Sequence, residues 1–311
     1  MIISASRRTD IPAFYTPWFM NRVREGFLLT RNPFNANQIR RVSLDPNDVD
    51  AIVFWTRNPS MLMKHLPELS SYNYYFQYTI TGYPKIFETN VPRPHRAIKQ
   101  FIELSDAIGA EKVIWRYDPI LLSNKIDINE HKRLFKKIAS MLHGKTRRVV
   151  ISFSDFYKKT ERNLSSIEGL IYSDITHQTD MLYDLSTFMS NTAMKYGMEI
   201  ESCAENVELS TCGISHGKCI DEKLIDKLFG ISLSGSKDSG QREDCGCIKS
   251  IDIGSYNTCL HGCSYCYATF NNKIVSNNKA KHDPTSPFLI GGVEGVDKSL
   301  YQPSTIQGNL F

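Results

Sequence analysis

The chain has 311 residues, 41% of them hydrophobic and 23% charged, a composition that excludes a disordered, collagen-like or low-complexity polymer. Thirty-seven basic against 33 acidic side chains leave a net charge of +4, an excess too mild to demand a nucleic-acid partner. No apolar stretch approaches the roughly 18 residues of a membrane-spanning helix.

The N-terminal Met1-Ile2-Ile3-Ser4-Ala5-Ser6-Arg7-Arg8 places its charges after a very short apolar run, the wrong order for a signal peptide. A cytoplasmic location with no membrane association is therefore expected. The first strand is expected over residues 2–6, ending in Ser6-Arg7-Arg8-Thr9-Asp10. A second covers 51–56 and runs into Arg57-Asn58. A third, 74–81, contains Gln77, Thr79 and Thr81. A helix follows over 96–108, with Ile98, Phe101, Ile102 and Ser105 on one face and Gly109 at its end.

The fourth strand, 112–117, ends at Arg116-Tyr117-Asp118. It is followed by a helix over 129–142, carrying Leu134, Phe135, Ile138 and Leu142. The fifth strand, 149–154, ends at Ser152, Ser154 and Asp155. A helix over 180–196 places Leu182, Leu185, Met189 and Tyr196 at helical spacing. The sixth strand, 198–202, runs on to Cys203 and Glu205, and a seventh covers 250–254.

Continuously apolar strands alternating with amphipathic helices predict a parallel sheet covered on both faces. With no Gly-rich fingerprint after the first strand, a TIM-type (β/α) barrel or a partial barrel is favoured over a doubly wound sheet. The barrel is expected over 1–202, a cysteine-rich metal-binding region over 203–270 and a tail packed on the barrel over 271–311. A Gly/Ser-rich loop is expected over 230–246. Each polar strand end alone suits a helix cap or a turn, as Asp10, Asn58 and Asp118 do before prolines. Six of them on one side of the strands instead mark the face where barrels place their chemistry.

All eight cysteines lie between Cys203 and Cys266. In a reducing compartment such a cluster reads as metal ligands rather than disulfides. Cys259-Leu260-His261-Gly262-Cys263-Ser264-Tyr265-Cys266 spaces three thiolates for three irons of a [4Fe–4S] cluster and leaves one iron without a protein ligand, whereas structural zinc sites usually show paired C-x2-C units. Cys203, Cys219, Cys245 and Cys247 form a second candidate site, for another [4Fe–4S] cluster or zinc, with Cys212 left over and His216 as an alternate ligand. His65, His95 and His143 read as ordinary residues.

The C-x3-C-x2-C loop, with an aromatic before its last cysteine, resembles the signature of the radical S-adenosylmethionine (SAM) superfamily, and Cys263-Ser264-Tyr265-Cys266-Tyr267 is similar to the loop of spore photoproduct lyase. The whole chain resembles an uncharacterised bacterial and archaeal family with C-terminal cysteines of this kind. The matching segments are Ser6-Arg7-Arg8-Thr9-Asp10-Ile11-Pro12, Phe54-Trp55-Thr56-Arg57-Asn58-Pro59, Trp115-Arg116-Tyr117-Asp118-Pro119-Ile120 and Asp252-Ile253-Gly254-Ser255-Tyr256 leading to Cys259.

The resemblance implies a barrel whose [4Fe–4S] cluster binds SAM, cleaves it reductively and leads to hydrogen abstraction from a substrate that stays unidentified. It also implies an electron donor such as flavodoxin or ferredoxin. Because the superfamily's cysteine loop follows its first strand, the order here implies a circular permutation, with 250–254 acting as first strand beside 2–6. On that mapping Ser6, Arg7, Arg8 and Asp10 replace the Gly-Gly-Glu motif that holds the SAM amino group. Gln77 and Thr79 meet the ribose, Arg116 meets the carboxylate, 151–153 lie against adenine, and Asp118 is a further expected cofactor-binding residue. Gly291-Gly292-Val293-Glu294 is only a near match to that motif.

Two other functions compete. One is a non-catalytic protein, stabilised by zinc or an iron–sulfur cluster, that binds nucleic acid. The other is a barrel hydrolase using Asp118, Asp155 or Glu201 as acid and base. The strand-end arginines favour an anionic substrate.

Overall fold

The computed structural model describes residues 1–238 and 241–301. Residues 239–240 of the expected loop and 302–311 of the expected tail lie outside it. The elements are β1 (Ile2–Ala5), α1 (Ile11–Phe14), α2 (Thr16–Glu25), β2 (Phe27–Asn32), β3 (Asn35–Ser43), β4 (Ala51–Thr56), β5 (Tyr74–Thr79), α3 (Pro94–Ile108), β6 (Val113–Ile120), β7 (Leu122–Ser123), α4 (Ile128–Met141), β8 (Arg148–Phe153), α5 (Lys158–Ser165), β9 (Tyr172–Ser173), α6 (Thr179–Lys195), β10 (Glu199–Cys203), β11 (Ser215–Gly217), α7 (Glu222–Phe229), β12 (Ile251–Asp252) and α8 (Asn272–Ala280).

Eight strands form one sheet in the order β12-β1-β4-β5-β6-β8-β10-β11, and every pairing within it is parallel. All seven expected strands belong to it. Apart from β12, the order follows the chain. The strand at the C-terminal end lies beside the one at the N-terminus, with Ile3 opposite Ile251 and Ser4 opposite Asp252. Among the described residues no strand pairing joins β11 to β12, so the sheet of this α/β fold ends in two edges and its strand pairing does not close a barrel.

The central strands are buried on both faces because their residues are apolar throughout, as in Ala51-Ile52-Val53-Phe54 of β4. Phe54 stacks on Phe76 with ring centroids 4.9 Å apart, and Trp115 stacks on Phe135 of α4 at 4.8 Å, joining sheet to helix. Helix α6 buries Leu182, Leu185 and Met189 as its spacing predicts, whereas Tyr196 only caps it. In α3 the buried face includes Leu104 and leaves Ile102 half exposed, a rotation of the expected stripe.

The C-terminal segment packs where a wrapping tail was expected. The Trp18 indole donates to the Ser286 carbonyl at 3.0 Å, and Leu29 buries against Phe288 and Val296. Among the described residues no helix is long and apolar enough to cross a membrane.

A cavity at the strand ends

A cavity of about 1030 Å³ opens at the C-terminal ends of the sheet, and every strand of the sheet, or the turn that follows it, contributes to its wall. Ser6 follows β1, Arg57 follows β4, Thr79 ends β5, Asp118 lies on β6, Ser154 follows β8, Cys203 ends β10, Cys219 follows β11 and Cys259 follows β12. In a parallel sheet all carboxyl ends point one way, so the polar strand ends converge.

The seam between β12 and β1 is tied by one carboxylate. Asp252 accepts from the hydroxyls of Ser4 (2.9 Å) and Ser6 (2.6 Å) and from the backbone amides of Arg7 (2.9 Å) and Gly254 (3.0 Å). Gly254 sits so close to Ser6 that an added Cβ would come within 2.6 Å of the serine Cβ, which explains the glycine at a position with an ordinary φ.

Asp10 has a comparable role on the other side of the cavity. Its Oδ1 caps α1 by accepting from Ala13 N (2.9 Å) and also accepts from the Thr56 hydroxyl (2.9 Å), while its Oδ2 takes Arg57 N (2.7 Å) and lies 2.7 Å from His261 Nε2. Four partners saturate this carboxylate, so the capping role accounts for Asp10 and nothing is left for a cofactor amine.

The cysteine loop after β12 is pinned to a segment the sequence reading passed over. Ser264 N donates to Phe87 O (2.9 Å), Asn90 N to His261 O (2.9 Å) and the Asn90 side chain to Leu260 O (2.8 Å). Gly262 takes the left-handed φ of +66° that the turn requires. Beneath the loop, buried Glu88 pairs with Arg57 at 2.8 Å and accepts from the Thr81 hydroxyl (2.5 Å) and from Tyr265. No local motif announces Glu88. Its partners lie on other segments, and Cys263 reaches it as an antiparallel bridge from the far end of the chain.

Cys259, Cys263 and Cys266 line the cavity together. Burial pushes the Cys259 thiol well above its ordinary range, and charge on Cys266, Asp10 and Cys263 adds to the effect. Burial likewise pushes Cys263 up to about 12, with Arg57 pulling the other way. For Cys259 and Cys263, burial and neighbouring charge both oppose the thiolate form, costs that a nearby cation would relieve.

Cys203, Cys219, Cys245 and Cys247 also come together. The Cys203 and Cys219 sulfurs are 2.8 Å apart, and Cys219, Cys245 and Cys247 are buried in one cluster with Cys203 packed against it. Contact with Cys219 holds the Cys203 thiol below its ordinary range and contacts with Cys219 and Cys245 do the same for Cys247, whereas the same contacts push Cys219 and Cys245 above it. Arg116 Nη1 donates to the Cys219 sulfur at 2.7 Å.

Among the described residues no three His, Cys, Asp or Glu side chains are disposed about a point that a metal ion would occupy. Cys212 stays apart, its thiol 3.9 Å from Tyr183 O. His216, the alternate ligand, turns outward to Glu208 at 3.5 Å and does not line the cavity.

Other expected SAM contacts fall differently. Arg116 is engaged on every side: Nε and Nη2 meet Asp118 Oδ2 at 2.8 and 2.6 Å, and Nη1 meets Cys219 and Gln77. Burial opposes charge on Asp118, but Arg116 and a hydrogen bond from Ser152 outweigh it and hold the carboxyl below its usual range. Gln77 is fully buried and donates to Cys219 O at 3.0 Å.

These two side chains therefore support the second group of cysteines instead of opening toward a ribose and a carboxylate. Thr79, Ser6, Arg7 and Arg8 line the cavity, and the Gly291-Gly292-Val293-Glu294 run does not. Arg8 and Lys159 flank Tyr256 at 5.3 and 5.7 Å from its ring centroid, and neither makes an ion pair among the described residues.

The hydrolase carboxylates are dispersed: Asp118 pairs with Arg116, Asp155 with Arg242 (2.6 Å), and Glu201 with Arg148 (3.3 Å) on the outer strands. Residues 2–268 match the protein family described as a domain of unknown function, DUF1848. Neither a curated protein nor a solved structure matches the chain.

Proposed function

This chain belongs to the DUF1848 family of domains of unknown function, and from that premise we propose that it is a radical SAM enzyme whose Cys259, Cys263 and Cys266 hold a [4Fe–4S] cluster. One observation carries the reading. The C-x3-C-x2-C loop follows a strand paired beside β1, and its three thiols line the cavity formed by the polar strand ends. When bound, such a cluster would ligate SAM at its open iron and supply the electron that cleaves it to a 5′-deoxyadenosyl radical.

The chain's own residues provide the setting. Asp252 fixes the strand from which the loop departs, and the Arg57–Glu88 pair with Tyr265 supports the loop from below. Tyr15 donates to Thr258 O at 2.7 Å, fixing the residue before Cys259. Arg8 and Lys159, which flank Tyr256 in the cavity lining and make no ion pair among the described residues, are placed to receive an anionic group of SAM or substrate. Arg116 is not assigned to the SAM carboxylate in this reading, because Asp118 and Cys219 engage it.

Anaerobic reconstitution followed by iron and sulfide counts, then dithionite with SAM, tests the proposal. 5′-Deoxyadenosine is expected from the native chain and is lost in the Cys259→Ala/Cys263→Ala/Cys266→Ala variant. An iron-loaded native chain that binds no SAM and forms no 5′-deoxyadenosine, or a chain whose loop takes up no iron, would sink the reading.

A further inference from the structure

The two edges of the eight-stranded sheet face each other across four cysteines. Cys203 ends β10 and Cys219 follows β11, on one edge. Cys245 and Cys247 precede β12, on the other. Backbone contact across the gap is slight: Ile248 N donates to Ile220 O at 3.2 Å, and Ile220 N to the Cys247 sulfur at 3.4 Å. All four cysteines meet at this gap: the Cys203 and Cys219 sulfurs are 2.8 Å apart, Cys245 and Cys247 are buried in the same cluster as Cys219, and all four line the cavity.

We infer that Cys203, Cys219, Cys245 and Cys247 bind a single zinc ion as a tetrahedral thiolate site, and that this ion joins the two sheet edges that strand pairing leaves apart. The inference is independent of the proposed enzymatic activity. Spacing favours one ion over a cubic cluster. Thiolates about 2.3 Å from a tetrahedral zinc stand about 3.8 Å from one another. The Cys203 and Cys219 sulfurs, at 2.8 Å, reach that arrangement by separating about an ångström, within the range of side-chain rotation. A cubic cluster, which places each thiolate on a different iron, needs the sulfurs spread farther.

Charge points the same way. Zinc with four thiolates is a dianion, and buried charge requires compensation. The Arg116 guanidinium donates to Cys219, and Arg7 lies near Cys247, Cys219 and Cys245 with its Nη2 buried and unpartnered. Arg7 is also held over Trp55, 5.3 Å from the ring centroid. A set of neutral thiols or a disulfide would give Arg116 no counter-charge beyond Asp118 and would leave the Arg7 guanidinium without an ion pair among the described residues. Ligand sulfurs that accept N–H bonds are the usual outer environment of a thiolate site.

The full-length chain, produced with both zinc and iron in the medium, is analysed for metals alongside the Cys259→Ala/Cys263→Ala/Cys266→Ala variant, which removes the other cysteine loop. One zinc per chain is expected in both. Further substitution of Cys219→Ser or Cys247→Ser should reduce zinc at least fivefold, and Cys212→Ser should leave it unchanged.

As a check that does not depend on how a ligand variant folds, cobalt(II) is also exchanged into the Cys259→Ala/Cys263→Ala/Cys266→Ala chain, which keeps all four proposed ligands. Intense visible bands of tetrahedral cobalt, with sulfur-to-cobalt charge transfer, are expected. Iron and sulfide in place of zinc, or a metal-free region whose peptides show a Cys203–Cys219 disulfide or four free thiols, would overturn the inference. Zinc found in a native chain that forms no 5′-deoxyadenosine would sink the proposed activity and uphold the zinc site.

Discussion

The Asp252 carboxylate accepts a 2.6 Å hydrogen bond from the Ser6 hydroxyl, across 246 residues of chain. Through this contact the strand beneath the cysteine loop is registered against the N-terminal strand, and three further donors converge on the same carboxylate.

Replacing Asp252 by alanine strands those donors at the seam. Leaving buried donors unsatisfied costs on the order of 1–3 kcal/mol each, less where water enters, so a net loss of about 2–4 kcal/mol is expected. Urea unfolding of the Asp252→Ala chain measures it, and a loss under about 0.5 kcal/mol, typical of an exposed site, would show that the seam is held by something else.

Gly254→Ala should also destabilise the seam, by overpacking rather than by a lost bond. The new methyl group meets the side chain of Ser6, and insertions of this kind cost typically about 1–3 kcal/mol. Combining it with Ser6→Gly should restore part of the loss, since the clash is with that side chain. A thermal melt of single and double variants distinguishes this from a general intolerance of alanine.

Arg57→Ala leaves Glu88, only 4% exposed, without its cation. Breaking one side of a buried ion pair costs about 3–5 kcal/mol, and replacing both partners by apolar groups costs much less. The double variant Arg57→Met/Glu88→Leu is therefore expected to be more stable than Arg57→Ala alone, as read by denaturant midpoint.

His131 gives stability a dependence on acid. Its ring is fully buried, with Tyr117 Oη donating to Nδ1 at 3.0 Å and Nε2 donating to Leu121 O at 3.1 Å. Burial lowers its pKa from 6.5 to about 4. The unfolded chain thus takes up a proton between those values and the folded chain does not, so this contribution is complete above pH 6.5 and is lost as pH falls toward 4, by about 3 kcal/mol. His131→Gln should flatten this slope, and a stability difference between variant and native chain that does not vary with pH would refute the assignment.

Glu205 acts in the opposite sense. Burial, with Asp155 and Asp118 nearby, raises its pKa from 4.5 to about 8 despite a 2.8 Å hydrogen bond from Phe153 N. Its contribution is complete below pH 4.5 and is lost as pH rises through 8. Glu205→Gln, neutral at every pH, should gain on the native chain by about 2–4 kcal/mol between pH 5 and pH 8. Denaturation at both pH values provides the check.

Strand positions were legible where the strand is apolar for most of its length, as in Ala51–Phe54 of β4 and Val149–Ile151 of β8, and in β10 through alternation about Ile200. The β2–β3 hairpin escaped because β3 is largely exposed and polar, so it carries no alternation. Strand β11, Ser215-His216-Gly217, has neither length nor propensity. The cysteine spacing drew attention to both groups of thiols, and all seven of these cysteines line one cavity.

What the spacing did not reveal was the direction of Arg116. Its partners are Asp118, two residues away, and Cys219, separated from it by 103 residues, and only the folded sheet decides between them and an open cavity. Glu88 was missed for the same reason: its importance lies in contacts with Arg57 and Tyr265, and a lone glutamate in a loop has no signature of its own.

The place of β12 beside β1 also governs the order in which the chain can assemble during synthesis. Strand β1 leaves the ribosome first and finds β4 soon after, but its other edge stays bare until residue 252 has been made. At roughly 5–20 residues per second that interval is about 12–50 s. The segment that closes the edge is the one leading into the cysteine loop, so any metal delivered there meets a chain whose other seven sheet strands are already made.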